Sequence, residues 1–228
     1  MKKRLVVLTG AGISAESGIA TFRDSGGLWE NYDVMQVASP EGWAQNRELV
    51  NKFYNERRKQ LEKAEPNAGH IGLVSLESSY EVHIITQNVD DLHERAGSSN
   101  VLHLHGELTK VRSCNDPSLV YDIGYREVSL EEKAEDGGML RPHIVWFGEA
   151  VPAIEQAAML SMSADVFVVI GTSLAVYPAA GLVQYAKKEA PVYLIDPNRP
   201  DGQQNFDYRF IQEPASTGVQ KLIELLEE

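Results

Sequence analysis

Leu5-Val6-Val7-Leu8-Thr9-Gly10-Ala11-Gly12-Ile13-Ser14 is the stretch whose reading decides the fold. A continuous apolar run fits a strand buried on both faces of a parallel sheet, because a sheet with one wet face would alternate apolar and polar residues. The pattern that follows, Gly10-x-Gly12-x-x-Ala15, fits a strand-to-helix turn whose missing side chains let backbone N–H groups approach a pyrophosphate. A plain glycine turn explains the same residues, so the motif needs company.

Similar apolar runs recur at 82–86, 165–170 and 192–195, and apolar residues recur at helical spacing over 67–78, 154–162, 179–188 and 217–226. Strands alternating with helices predict an α/β fold, a Rossmann-like doubly wound parallel sheet. Two insertions break the rhythm. Residues 39–65 read as a charged helix with Leu49, Val50, Phe53 and Leu61 on one face, while 112–139 are polar and irregular, punctuated by Asn115-Asp116-Pro117 and Gly137-Gly138. The expected organisation is one catalytic domain whose large part comprises 1–38, 66–111 and 140–228. The expected small helical and irregular module comprises 39–65 and 112–139.

A chain of 228 residues suits one substantial core. Its net charge of -12 argues against a nucleic-acid surface, which needs a basic stripe to displace counterions. The single cysteine, Cys114, excludes an internal disulfide and a thiolate-built metal site. Met1-Lys2-Lys3-Arg4 is followed by an apolar run too short for a signal peptide, and no segment reaches the roughly 20 apolar residues of a membrane helix. A cytoplasmic location, with no membrane or nucleic-acid partner, is the expectation.

Gln87-Asn88-Val89-Asp90 follows the second apolar run, at the carboxyl edge where open α/β sheets place ligands. A helix cap would need only one of these side chains. His105 closes the run 101–104, and Gly106 after it allows close approach of a ligand or another backbone. Histidine is the side chain whose ordinary pKa suits base work near neutrality. His70, His83, His93, His103 and His143 have no comparable setting and are assigned to packing or surface roles. A hydride-transfer enzyme would carry a second strand ending in Asp or Glu about 20 residues after the glycines. Here Thr21-Phe22-Arg23-Asp24-Ser25-Gly26-Gly27-Leu28-Trp29 reads as a loop.

Taken in order, Gly-Ala-Gly-Ile-Ser, Thr-Phe-Arg-Asp, Gln-Asn-Val-Asp, His-Gly, Arg141-Pro142-His143-Ile144-Val145-Trp146-Phe147-Gly148-Glu149 and Gly171-Thr172-Ser173 resemble the sirtuins, NAD-dependent protein-lysine deacylases, over nearly the whole chain. The resemblance implies that NAD is consumed as a co-substrate and that acyl-lysine proteins or peptides are the partners. It implies that Gly10, Ala11, Gly12 and Ser14 hold the diphosphate, that Gln87, Asn88 and Asp90 surround the nicotinamide and its ribose, and that Phe22 and Arg23 belong to a cofactor loop. Gly171, Thr172 and Ser173 would line the adenosine side, joined by Asp196, whose charge should reject a 2′-phosphate. His105 is the implied base, with Asn88 beside it, and the products are nicotinamide, free lysine and O-acyl-ADP-ribose. Val145, Phe147, Gly148 and Glu149, facing Val176 and Tyr177, resemble the two loops that clamp a substrate peptide as an added strand. Many sirtuins carry two Cys-x-x-Cys pairs in the small module, which Cys114 alone cannot supply, so zinc is not expected.

Tyr54 and Arg57, three apart on the charged helix, share one face. Ordinary packing and solvation would account for both. The pair nonetheless resembles the Tyr-x-x-Arg by which one class of sirtuins reads the carboxylate of succinyl- or malonyl-lysine, since a guanidinium can donate two parallel hydrogen bonds. Two alternatives share the cofactor residues: mono-ADP-ribosyl transfer, and a non-catalytic sensor of NAD or ADP-ribose. A sensor would need neither His105 nor Asn88.

Overall fold

The structure, a computed structural model, describes residues 2–19, 28–29, 32–199 and 205–227. In chain order its strands are β1 (Lys3–Thr9), a short hairpin of β2 (Leu28–Trp29) and β3 (Tyr32–Asp33), β4 (Tyr80–Thr86), β5 (Val101–His103), β6 (Gly106–Ser113), β7 (Val120–Asp122), β8 (Leu140–Ile144), β9 (Val166–Ile170), β10 (Val192–Ile195) and β11 (Arg209–Ile211). The helices are α1 (Val34–Val37), α2 (Pro40–Gln45), α3 (Arg47–Lys63), α4 (Ala68–Leu76), α5 (Leu92–Ala96), α6 (Ile154–Ser163) and α7 (Ala215–Glu227).

Six strands form one parallel sheet in the order β11-β10-β9-β1-β4-β5. The chain builds outward from β1 through β4 to β5, then returns to the other side of β1 with β9, so the strand order reverses between β1 and β9. Such a switch point opens a crevice beyond the carboxyl ends of the strands. The register makes those ends level: Thr9 pairs with Thr86 and Ile170, and Ile170 with Ile195. Four loops therefore leave one edge together, beginning at Gly10, Gln87, Gly171 and Asp196.

Alternation along β1 fills two cores. Leu5 and Val7 pack with Leu73, Val219 and Leu222 under α4 and α7, whereas Val6 and Leu8 pack with Phe167, Ala157 and Leu182 under α6 and a 3-10 helix, Ala179–Tyr185. The spacing over 179–188 predicts a regular helix, and the tighter 3-10 turn stands there instead. No helix among the described residues is long and apolar enough to cross a membrane.

Residues 39–65 form the expected helical segment. Ser39 Oγ accepts from Gly42 N at 2.9 Å to start α2, with Pro40 in the first turn, and Asn46 Oδ1 accepts from Leu49 N at 3.0 Å to start α3. The inner face of α3 buries Val50, Phe53, Tyr54, Arg57, Arg58 and Leu61. Residues 112–139 are largely turns, as their composition suggests, but β7 within them joins the flanking β6 and β8 in a small antiparallel sheet, β7-β6-β8, over Val111, Val128, Ala134 and Leu140. Where Cys114 turns the chain, Ser113 Oγ donates to both Asp136 oxygens at 2.9 and 2.8 Å and accepts from Asn115 N at 3.0 Å.

The first turn of α7 lies so close to β10 that a Cβ on Gly218 would fall 2.2 Å from Ile195 Cγ2. Gly218→Ala must therefore push Ile195, the neighbour of Asp196. We expect a loss of about 1–3 kcal/mol, the usual cost of overpacking, measured by urea denaturation.

Candidate active site

The loops from the four level strand ends, with the segment around 144–149 and α3, enclose a cleft of about 490 Å³. The loop after β1 is built from two 3-10 turns, Ala11–Ile13 and Ala15–Ser17, rather than from the start of a regular helix. It lies backbone to backbone on the loop after β9. Gly12 N donates to Gly171 O at 2.8 Å, and a Cβ on Gly12 would sit 2.6 Å from Gly171 Cα. Gly171 itself has φ +62, a conformation that glycine adopts without strain. The fingerprint glycines thus serve loop-on-loop contact, and Gly10, Ala11, Gly12 and Gly171, none with a side chain larger than a methyl group, form a shelf along one side of the cleft.

Beneath that shelf three strand ends are tied by side chains. Asn88 Nδ2 donates to Gly10 O at 3.2 Å and to Ser14 Oγ at 3.1 Å, and Ser14 Oγ donates to Asp90 Oδ2 at 2.9 Å. Gln87 Nε2 reaches Thr172 Oγ1 at 3.1 Å, joining the loops after β4 and β9. Ser14 is wholly buried and Asp90 and Asn88 nearly so. Burial pushes the Asp90 carboxyl up, against the Ser14 and Leu92 hydrogen bonds that favour its charge. Gln87, Asn88 and Asp90 line the cleft, as do Thr172, Ser173 and Asp196, while Ser14 supports them from below. Phe22 and Arg23 lie outside the described residues.

His105 lines the same cleft, and its Nδ1 lies 3.0 Å from Gln87 O. A carbonyl only accepts, so Nδ1 carries the proton and the neutral ring keeps its lone pair on Nε2. Burial lowers the His105 pKa below the ordinary 6.5, and the Gln87 carbonyl only partly opposes this. A proton acceptor is therefore ready at neutral pH, and its capacity is lost only as pH falls through the lowered value. His103, placed above with the packing or surface residues, has its ring between Glu94 Oε1 at 2.8 Å and Asn88 O at 3.2 Å. The pattern of the sequence held no sign of this, because one partner is a backbone carbonyl and the other sits on α5.

Val145, Phe147, Gly148 and Glu149 form one wall of the cleft, and Val176 and Tyr177 another. Phe147, Val176 and Tyr177 are solvent-exposed large apolar side chains. The Glu149 carboxylate turns inward: it accepts from Arg141 Nη1 at 2.7 Å, Arg141 Nη2 at 3.1 Å and Trp146 N at 2.8 Å. Although burial alone would raise it, these donors hold Glu149 below the usual carboxylate range. Its contribution is the shape of the loop.

Of the α3 pair, Arg57 lines the cleft and is only 4% exposed, so it is not the solvated arginine of an ordinary surface helix. Tyr54 lies behind the wall. It is fully buried, its hydroxyl accepts from Trp146 Nε1 at 2.8 Å, and burial pushes its pKa up. The Arg141 guanidinium stacks 3.4 Å over the Trp146 ring. Trp146 was legible only as part of a motif, yet it connects the Glu149 loop to α3. Among the described residues no group of three or more His, Cys, Asp or Glu side chains is placed to hold a metal ion.

A model of the Sir2 family matches residues 10–178. An NAD-dependent protein deacylase of Bacteroides thetaiotaomicron is 56% identical over 232 residues, covering 98% of both chains, and one of Helicobacter pylori J99 is 53% identical over 226 residues, covering 99% of this chain and 96% of the relative. Among solved structures, a Sir2 homolog–NAD complex superposes with a TM-score of 0.88 at 38% identity, covering 99% of this chain and 90% of the other. A Sir2–p53 peptide–NAD+ complex superposes with a TM-score of 0.82 at 28% identity, covering 99% and 94%.

For the base, we expect the His105 ring to titrate below 6.5 in a histidine-selective NMR titration. A midpoint above that value would mean that the ring is not held neutral.

Proposed function

We propose that this chain, which belongs to the Sir2 family, is an NAD-dependent protein-lysine deacylase that favours acidic acyl groups over acetyl. The observation that carries the enzymatic part is the joint presence, at one switch point, of the glycine-built shelf and a half-buried neutral histidine with Nε2 as its acceptor. A binding module has use for the shelf but none for the base. Relatives more than 50% identical along nearly their whole length are NAD-dependent protein deacylases, which supports the same reading.

NAD, when bound, supplies an electrophilic ribosyl carbon with nicotinamide as the leaving group. In this reading Gly10, Ala11, Gly12 and Gly171 present backbone to the diphosphate, and Asp196, at the end of β10, offers acceptor oxygens to ribose hydroxyls. Gln87, Asn88 and Asp90 orient the nicotinamide end. His105 takes up a proton at Nε2, raising the nucleophilicity of the hydroxyl that receives the acyl group. The exposed side chains of Phe147, Val176 and Tyr177 cover an extended peptide between the two loops and keep water from the reacting centre.

The acyl preference rests on Arg57. A guanidinium in the cleft wall offers paired donors to a terminal carboxylate, and a hydrogen bond to a charged group is worth about 1.5–3 kcal/mol, or roughly one to two orders of magnitude in catalytic efficiency. Tyr54 acts by holding Trp146 and the helix face that carries Arg57. Arg57→Met should lower kcat/KM on a succinyl-lysine peptide about tenfold or more and leave the acetyl version of that peptide within about twofold. An unchanged ratio would remove Arg57 as the reader. In the same mass-spectrometric assay His105→Ala should abolish O-acyl-ADP-ribose, whereas ADP-ribose retained on protein would point to transferase activity. With Cys114 the one thiol of the chain, a four-thiolate site cannot form, and the Ser113–Asp136 hydrogen bonds tie this turn, so we expect no stoichiometric zinc by elemental analysis of purified protein. One equivalent would overturn that.

A further inference from the structure

We infer that His103 is a positioning residue for this site: a doubly protonated ring, shared between the Glu94 carboxylate and the Asn88 carbonyl, that fixes the Gln87–Asp90 loop on which the cofactor end of the cleft is built. The inference rests on the NAD-dependent reading above. Its ground is geometry. The β4–β5 register places His103 beside Thr86, the last residue before the loop. From there its Nδ1 lies 3.2 Å from Asn88 O and its Nε2 2.8 Å from Glu94 Oε1. Both partners are acceptors only, so satisfying both requires a proton on each nitrogen. The adjacent carbonyl, Gln87 O, is taken by His105 Nδ1. Two histidines two residues apart thus grip successive carbonyls of one loop.

The charges around His103 favour the cation. Burial alone would lower its pKa, but Glu94 on α5, by hydrogen bond and by charge, Glu107 on β6 and the Asn88 carbonyl together hold it above the ordinary 6.5. Asp90, on the loop itself, gains stabilisation of its charged form from His103. On the opposing side His93, also on α5, is buried and held neutral, in part by His103, and Lys110 acts on Glu94. A ring whose pKa is raised keeps its second proton below that value and loses it as pH rises through it. The neutral ring has one N–H for two acceptors. One contact must then be given up, and either its lone pair faces the Asn88 carbonyl or the Glu94 carboxylate is left to repel it.

The consequence is an alkaline loss of cofactor-site order that does not involve the catalytic base, since His105 is already neutral there. The first measurement needs no variant: 15N shifts of the His103 imidazole at pH 6 should report protons on both nitrogens, and a singly protonated ring there would overturn the inference. The second is calorimetric titration with ADP-ribose across pH 6.5–9.5. The parent Kd should rise about three- to tenfold over that range, as loss of one hydrogen bond to the loop implies. Glu94→Gln should move the rise to lower pH, and His103→Gln, with a single pH-independent donor group, should bind more weakly at pH 7 and show a flat profile. Variants that keep the parent Kd and its pH profile would sink the inference while leaving the deacylase reading intact. Failure of the parent to bind ADP-ribose at any pH would remove both.

Discussion

The structure depends on one constraint of register: β1, β4, β9 and β10 end level. Because Thr9 aligns with Thr86 and Ile170, and Ile170 with Ile195, four segments far apart in sequence leave the sheet within reach of one another. A slip of one residue in any pairing would turn every side chain of that strand to the opposite face, exchanging residues between two apolar cores. The burial of β1, with Leu5, Val6, Val7 and Leu8 all inaccessible, therefore fixes more than stability. It fixes where Gly10, Gln87, Gly171 and Asp196 begin.

What happens beyond the strand ends follows from unsatisfied polarity. Loops that pack this closely bury backbone carbonyls and amides, and these must be paired. Asn88 supplies donors to Gly10 O and Ser14 Oγ, and Gln87 supplies one to Thr172 Oγ1. Side chains that a sequence reading assigns to ligand contact are thus also the ties between loops. The two roles are compatible because an amide has both donors and an acceptor, and removing either residue would disturb the shelf as well as any bound nucleotide.

Much of this was legible in the sequence because the parallel core announces itself by unbroken apolar runs. The small sheet did not. In β6 the pairing shifts between Gly106 and Val111, which breaks the alternation that would have identified it, and its burial pattern has no period of two. The segment 179–185 carries helical spacing, yet forms a 3-10 helix, a distinction that pattern alone does not make. Tyr54 and Arg57, three residues apart, both lie on the buried face of α3, but spacing could not tell which reaches the cleft. That is decided by Trp146, 92 residues away, whose indole N–H bonds the Tyr54 hydroxyl. The stack of Arg141 on Trp146, closed by Glu149, likewise exists only once β8 lies against α3.

His103 and His105 show most directly why residue type and spacing underdetermine chemistry. They share a residue type, a similar neighbourhood and a backbone carbonyl partner each, yet their environments push them apart. His105 meets burial and one carbonyl, which lowers its pKa. His103 meets burial too, but Glu94 and Glu107 more than offset it. Pairs of titratable groups driven in opposite directions within one site mark a division of labour. Here the ring of lowered pKa keeps a lone pair on Nε2, while the ring of raised pKa turns both nitrogens to acceptors, the Glu94 carboxylate and the Asn88 carbonyl.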